Sequence, residues 1–85
     1  MEDKILVTLV VPMIEKKYEV FLPANKKIGE IITLLSKGLT DVSNGYYIIT
    51  NKEKLYNRVT GKEYNNNNQI LKNTDIIQGS WLVFM

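Results

Sequence analysis

The sequence predicts an α+β fold, a mixed sheet of four to five strands with one helix packed on one face. Three observations carry that reading. Apolar residues alternate along two successive stretches near the N-terminus, the apolar period lengthens to about 3.6 residues after Pro23, and alternation returns at the C-terminal end. A chain of 85 residues has the size of one ordinary domain, so residues 1–85 are expected to share one hydrophobic core.

Ile5, Val7, Leu9 and Val11 alternate with Leu6, Thr8 and Val10 in a run dense in β-branched side chains, the mark of a strand, and both of its faces are largely apolar. Pro12-Met13-Ile14-Glu15-Lys16-Lys17 breaks the run. Tyr18-Glu19-Val20-Phe21-Leu22 alternates again and stops at Pro23, so the two stretches pair as an antiparallel hairpin. Beyond Asn25, the residues Ile28, Ile31, Ile32, Leu35 and Leu39 fall on one stripe of a helix. Asn25 is expected as its N-cap and Gly38 as the left-handed residue that ends it, with Leu39 folding back as the apolar contact.

Asp41, Ser43, Asn44 and Gly45 mark a turn, Tyr46-Tyr47-Ile48-Ile49-Thr50 is strand-like, and Asn51-Lys52-Glu53-Lys54 is a polar break. Leu55-Tyr56-Asn57-Arg58-Val59-Thr60 reads as a strand, Gly61-Lys62 as a turn and Glu63-Tyr64 as the start of a short return strand. The asparagines at 65–68 read as a surface loop. Ile70-Leu71, a polar turn and Ile76-Ile77 lead to the last strand, Ser80-Trp81-Leu82-Val83-Phe84-Met85.

The absence of cysteine and histidine removes disulfides, thiolate nucleophiles, the usual zinc sites and an imidazole base. The remaining acids show no spacing that sets two carboxylates across a cleft, and Asp75 is expected to bond its local backbone. Gly45, Gly61 and Gly79 stand alone and form no phosphate cradle. No catalytic residue, metal or cofactor is therefore expected, and the chain does not read as an enzyme. Eleven Lys and Arg against nine Asp and Glu leave a net charge of +2, spread as scattered pairs with Arg58 as the single arginine, so nucleic acid is not an expected partner. No apolar run approaches the length of a membrane span, and Met1-Glu2-Asp3-Lys4 lacks the order of a signal peptide; a cytoplasmic location is expected.

The order hairpin, helix, one or two strands, last strand is what a β-grasp domain requires. At the C-terminal end, Gly61-Lys62-Glu63-Tyr64, a polar loop, Ile70-Leu71-Lys72-Asn73-Thr74-Asp75-Ile76 and Gln78-Gly79-Ser80-Trp81-Leu82-Val83 resemble the end of the ubiquitin family. Within that superfamily, the first strand near residue 1, the Val-Phe-Leu-Pro end of the second and the Asn-Lys-x-Lys stretch before a central strand are similar to the small bacterial YukD/EsaB proteins. Those accompany type VII secretion systems of Gram-positive bacteria. The resemblance implies a ubiquitin-like, non-catalytic protein-interaction module, an accessory or regulator of such a system. No Gly-Gly follows Gly79 before Met85, so neither conjugation nor sulfur transfer is expected.

A helix on one face of the sheet leaves the other to solvent. With Ile5, Val7, Leu9, Val11, Tyr18, Val20, Leu22, Leu82 and Phe84 turned to the helix, the opposite face receives Leu6, Val10, Phe21, Trp81, Val83 and Met85, joined by Tyr56 and Arg58. That composition matches the centre of a protein interface, with a protein partner or a second copy of the chain as occupant. The alternative is that Met13-Ile14, or residues 40–54 with Tyr46, Tyr47, Ile48 and Ile49, fold back to cover that face. The same register sends Asn57 inward.

Overall fold

The computed structural model describes residues 3–85. Met1 and Glu2, which open the stretch read for a signal peptide, lie outside the described residues. The first alternating run forms β1, Lys4–Val11, and the second forms β2, Lys16–Pro23. Pro12–Ile14 turns between them as one 3-10 turn, closed by Glu15 in the left-handed region at φ 54°. The two strands pair antiparallel along their whole length, from Lys4 opposite Pro23 to Val11 opposite Lys16. β3, Leu55–Asn57, and β4, Trp81–Phe84, complete a sheet of four strands in the order β2-β1-β4-β3. β1 and β4 run parallel and β3 and β4 antiparallel. Glu63 pairs with Tyr56 only as a bridge, so the return strand contracts to a single contact.

The helix α1, Ile28–Val42, packs on one side of this sheet. Val7, Leu9 and Val11 of β1, Leu22, Leu55, Leu82 and Phe84 meet Ile28, Ile31 and Leu39 in the core, while Ile5, Tyr18, Val20, Ile32 and Leu35 pack around it partly buried. Each fully buried aliphatic side chain there contributes about 1.5–3 kcal/mol relative to exposure.

Both helix ends differ from the sequence expectation. The N-cap is Lys27, not Asn25, and its N–H donates to Glu30 Oε1 at 3.0 Å. The next orphan donors, Ile28 N–H and Gly29 N–H, reach the carbonyls of Gln69 and Asn67 at 2.9 and 3.0 Å. The asparagine loop therefore caps the helix, and the missing side chain of Gly29 permits the approach: a Cβ there would stand 3.1 Å from Asn67 Cβ. Gly38 lies inside the helix, because continuing it one more turn buries Leu39. The chain leaves the helix at Ser43 and passes through Asn44 and Gly45, both at positive φ.

Residues 46–50 form no strand. Tyr47 instead plunges into the core, 1% exposed, with its ring 6.1 Å from that of Phe84. Its N–H is held by Ser43 Oγ at 2.8 Å and its hydroxyl donates to Glu53 Oε2 at 3.0 Å. Glu53 Oε2 also accepts from Thr50 N–H and Oγ1, which closes the segment into a latch.

Candidate protein-interaction face

Strand alternation and register place the predicted face residues in rows across the helix-free side of the sheet. In one row Val10 stands opposite Val83, which stands opposite Tyr56, and Lys17 of β2 continues it beyond Val10. In the next, Thr8 lies between Glu19 and Trp81. Arg58 N–H donates to the Trp81 carbonyl at 2.9 Å, which carries Arg58 to the far side of the ring's strand. Leu6 pairs with Phe21 in a third row, and there β4 has not begun. The side chain of Gln78 takes its place, accepting from Leu6 N–H at 2.8 Å and donating to the Lys4 carbonyl at 3.0 Å.

Val10, Val83, Tyr56 and Trp81 thus form one group, and the polar side chains of Thr8 and Glu19, in the row of Trp81, stand between it and the Leu6–Phe21 pair. Met85 follows β4 at the end of the sheet, its N–H and carbonyl paired with Lys54. Phe21 is 65% exposed, Met85 59% and Trp81 38%; Leu6, Val10, Val83 and Tyr56 are half-buried by their neighbours. Of the segments weighed as a cover, residues 40–54 reach the face where Lys54 pairs with Met85, and Met13, Tyr46, Ile48 and Ile49 stay exposed. Tyr47 is consumed by the core and Ile14 packs against it.

Sequence reasoning missed Lys17. Its Nζ lies 5.1 Å from the centre of the Trp81 ring, and the Arg58 guanidinium lies 5.3 Å from the same centre. The available signal was the alternation of β2, which turns Lys17 toward the side that Phe21 occupies.

The displaced titrations belong to the helix side and edge of the sheet. Burial, with the Glu53 carboxylate beside it, pushes the Tyr47 phenol well above its ordinary range. Burial alone would raise the Glu53 carboxyl, but hydrogen bonds from Thr50, its own N–H and Tyr47 outweigh that and hold it low. The Tyr64 phenol is pushed up to about 12, chiefly by burial and then by its hydrogen bond to Asp75. Asp75 therefore serves a different partner from the local backbone expected for it: Tyr64 donates to its Oδ1 at 2.7 Å, and Lys62 Nζ stands 3.7 Å from Oδ2. The inward Asn57 is satisfied as well, donating to the Tyr64 hydroxyl and accepting from Val59 and Thr60 N–H. These groups are tied to one another as structure. Among the described residues, no cluster of three or more acidic groups is placed to hold a metal ion.

No family model matches the chain, and no curated protein matches it in sequence. Solved structures do. The ubiquitin-like domain of the Arabidopsis thaliana protein At2g32350 superimposes with a TM-score of 0.68 at 21% identity, over 99% of this chain and 78% of that one. The chain has the ubiquitin-like fold. The N-terminal ubiquitin-like domain of the 4931431F19Rik protein matches it equally, with a TM-score of 0.68 at 20% identity over 100% of this chain and 76% of the other. A chain of the MycP5-free ESX-5 inner membrane complex matches with a TM-score of 0.71 at 16% identity; this ubiquitin-like fold spans 21% of that longer chain. Among the described residues, no helix is long and apolar enough to cross a membrane.

Proposed function

We propose that residues 1–85 form one ubiquitin-like domain that acts without catalysis, as a protein-interaction module docking through the open sheet face, in the service of a Gram-positive type VII secretion system. The observation that carries the docking reading is the group of Trp81, Val10, Val83 and Tyr56 on the helix-free side of the sheet, with Trp81 38% exposed, while Tyr47 and Ile14 of the neighbouring segments are engaged by the core. A partly exposed tryptophan beside an arginine is the composition of an interface centre. The secretion reading is supported by the likeness to YukD/EsaB proteins and by the match to a chain of an ESX-5 inner membrane complex.

The test is genetic complementation. Deleting the gene should reduce export of type VII substrates, and the parent chain should restore it where a folded Trp81→Ala chain does not. Full rescue by Trp81→Ala overturns the face; unchanged export after deletion overturns the secretion role. A second reading, self-assembly through the same face, is favoured by Phe21, exposed on the edge strand β2. Sedimentation separates the two: a concentration-independent monomer excludes self-assembly.

A further inference from the structure

The ring of Trp81 is flanked by two cations from different strands, Lys17 and Arg58, and like charges gathered around one ring repel each other unless something offsets them. Among the described residues, no carboxylate stands within ion-pair distance of either; the acids Glu63 and Asp75 pair with Lys54 and Lys62 elsewhere. Trp81, Lys17 and Arg58 also line a shallow depression of about 400 Å³, floored by Val10 and Pro12 where β1 ends. Lys16 adds a third positive charge to its wall, against the single acid Glu15. The floor is apolar and its rim is positive.

We propose that this depression receives an acidic segment of a partner protein, with a carboxylate drawn to the positive rim that Arg58 and Lys17 form on either side of Trp81 and an adjacent apolar side chain seated on Val10 beside the ring. The proposal rests on the docking reading above and adds the chemistry of the occupant. Arg58 offers a planar fork that matches a carboxylate, and Lys17 supplies a point charge from the other strand. Glu19, one row along on the same face, repels a second acid in that direction and so orients the segment toward Val10 and Val83. A nucleic-acid strand also stacks on aromatic rings among cations, but it needs a track of positive charge along its phosphates, and Glu15 and Glu19 interrupt such a track here.

The experiment selects random short peptides displayed on phage against the immobilised full chain, and separately against Lys17→Glu, Arg58→Glu and Trp81→Ala chains shown to be folded by circular dichroism. The selected peptide is then synthesised and titrated while the emission of the single tryptophan is followed. The expected peptides pair Asp or Glu with a neighbouring apolar residue, shift the Trp81 emission, weaken as salt is raised, and bind Arg58→Glu about tenfold or more weakly. Peptides that need Trp81 but show no acidic preference, and bind Lys17→Glu and Arg58→Glu as they bind the parent, overturn this proposal and leave the docking face standing. No enriched peptide, or peptides indifferent to Trp81→Ala, overturns both. An oligothymidylate that binds more tightly than the selected peptide through Lys17 and Arg58 overturns the proposal in favour of nucleic acid.

Discussion

Tyr47 decides where residues 46–54 lie, and a pair of substitutions measures it. Tyr47→Phe keeps the ring against Phe84 and deletes only the donor to Glu53 Oε2. A hydrogen bond to a charged acceptor is worth about 1.5–3 kcal/mol, and the Thr50 donors that remain on the same oxygen reduce the loss to about 1–1.5 kcal/mol. In a domain of this size that lowers Tm by roughly 4–12 °C. Tyr47→Ala removes the ring as well and should cost about 3–5 kcal/mol, against a total stability of roughly 4–13 kcal/mol for a chain of this length. Urea unfolding followed by Trp81 emission and by circular dichroism gives both values. The acid side supplies a signature of the hydrogen bond itself. Because the Glu53 carboxyl is held low, its contribution is present above the ordinary carboxylate range and is lost as pH falls through the folded value. Tyr47→Phe should therefore lose less stability on acidification than the parent. A Tyr47→Phe chain with the parent's midpoint and acid slope, or a Tyr47→Ala chain within about 0.5 kcal/mol of the parent, would refute the latch.

Leu82→Ala should cost about 2–5 kcal/mol, since Leu82 is fully buried, while Asn65→Ala on the exposed loop should stay within about 0.5 kcal/mol; chemical denaturation compares them. Gly38→Ala should stabilise the protein by about 0.5–1 kcal/mol, because Gly38 is helical and its Cβ would meet open space. A loss of stability in that variant would return Gly38 to the left-handed cap position. On the alkaline side, the Tyr64 phenol is pushed up to about 12, so stability should be flat below pH about 10 and fall as pH rises from there toward 12. Tyr64→Phe should flatten part of that fall in a pH series of urea titrations.

Much of this architecture was legible because period-two and helical patterns survive without tertiary information. The alternation of Ile5 to Val11 and of Tyr18 to Leu22 placed both hairpin strands and their faces, and the stripe from Ile28 to Leu39 placed the helix. The helix ends were not legible: Glu30 accepts from Lys27 N–H at the cap, and the next donors, Ile28 and Gly29 N–H, find their acceptors Gln69 and Asn67 on a distant loop. Residues 46–54 carry no period, since a single inward anchor, Tyr47, fixes them through Ser43 and Glu53. At the face, Trp81, Val83, Val10 and Tyr56 follow from alternation alone. Lys17 reaches the ring only through the pairing of β1 with both β2 and β4, a juxtaposition that no local pattern contains.

The unfolding free energy of Trp81→Ala tests the open face most directly. The ring is 38% exposed and rests on Lys17 and Arg58, whereas its neighbour Leu82 is fully buried on the opposite side of the strand. An open face predicts a folded variant that loses about 2 kcal/mol or less, because more than a third of the residue already faces water and the charged side chains of Lys17 and Arg58 lie against its ring. A loss of about 3–5 kcal/mol, the cost of deleting a core aromatic, would contradict it and place Trp81 beneath a cover.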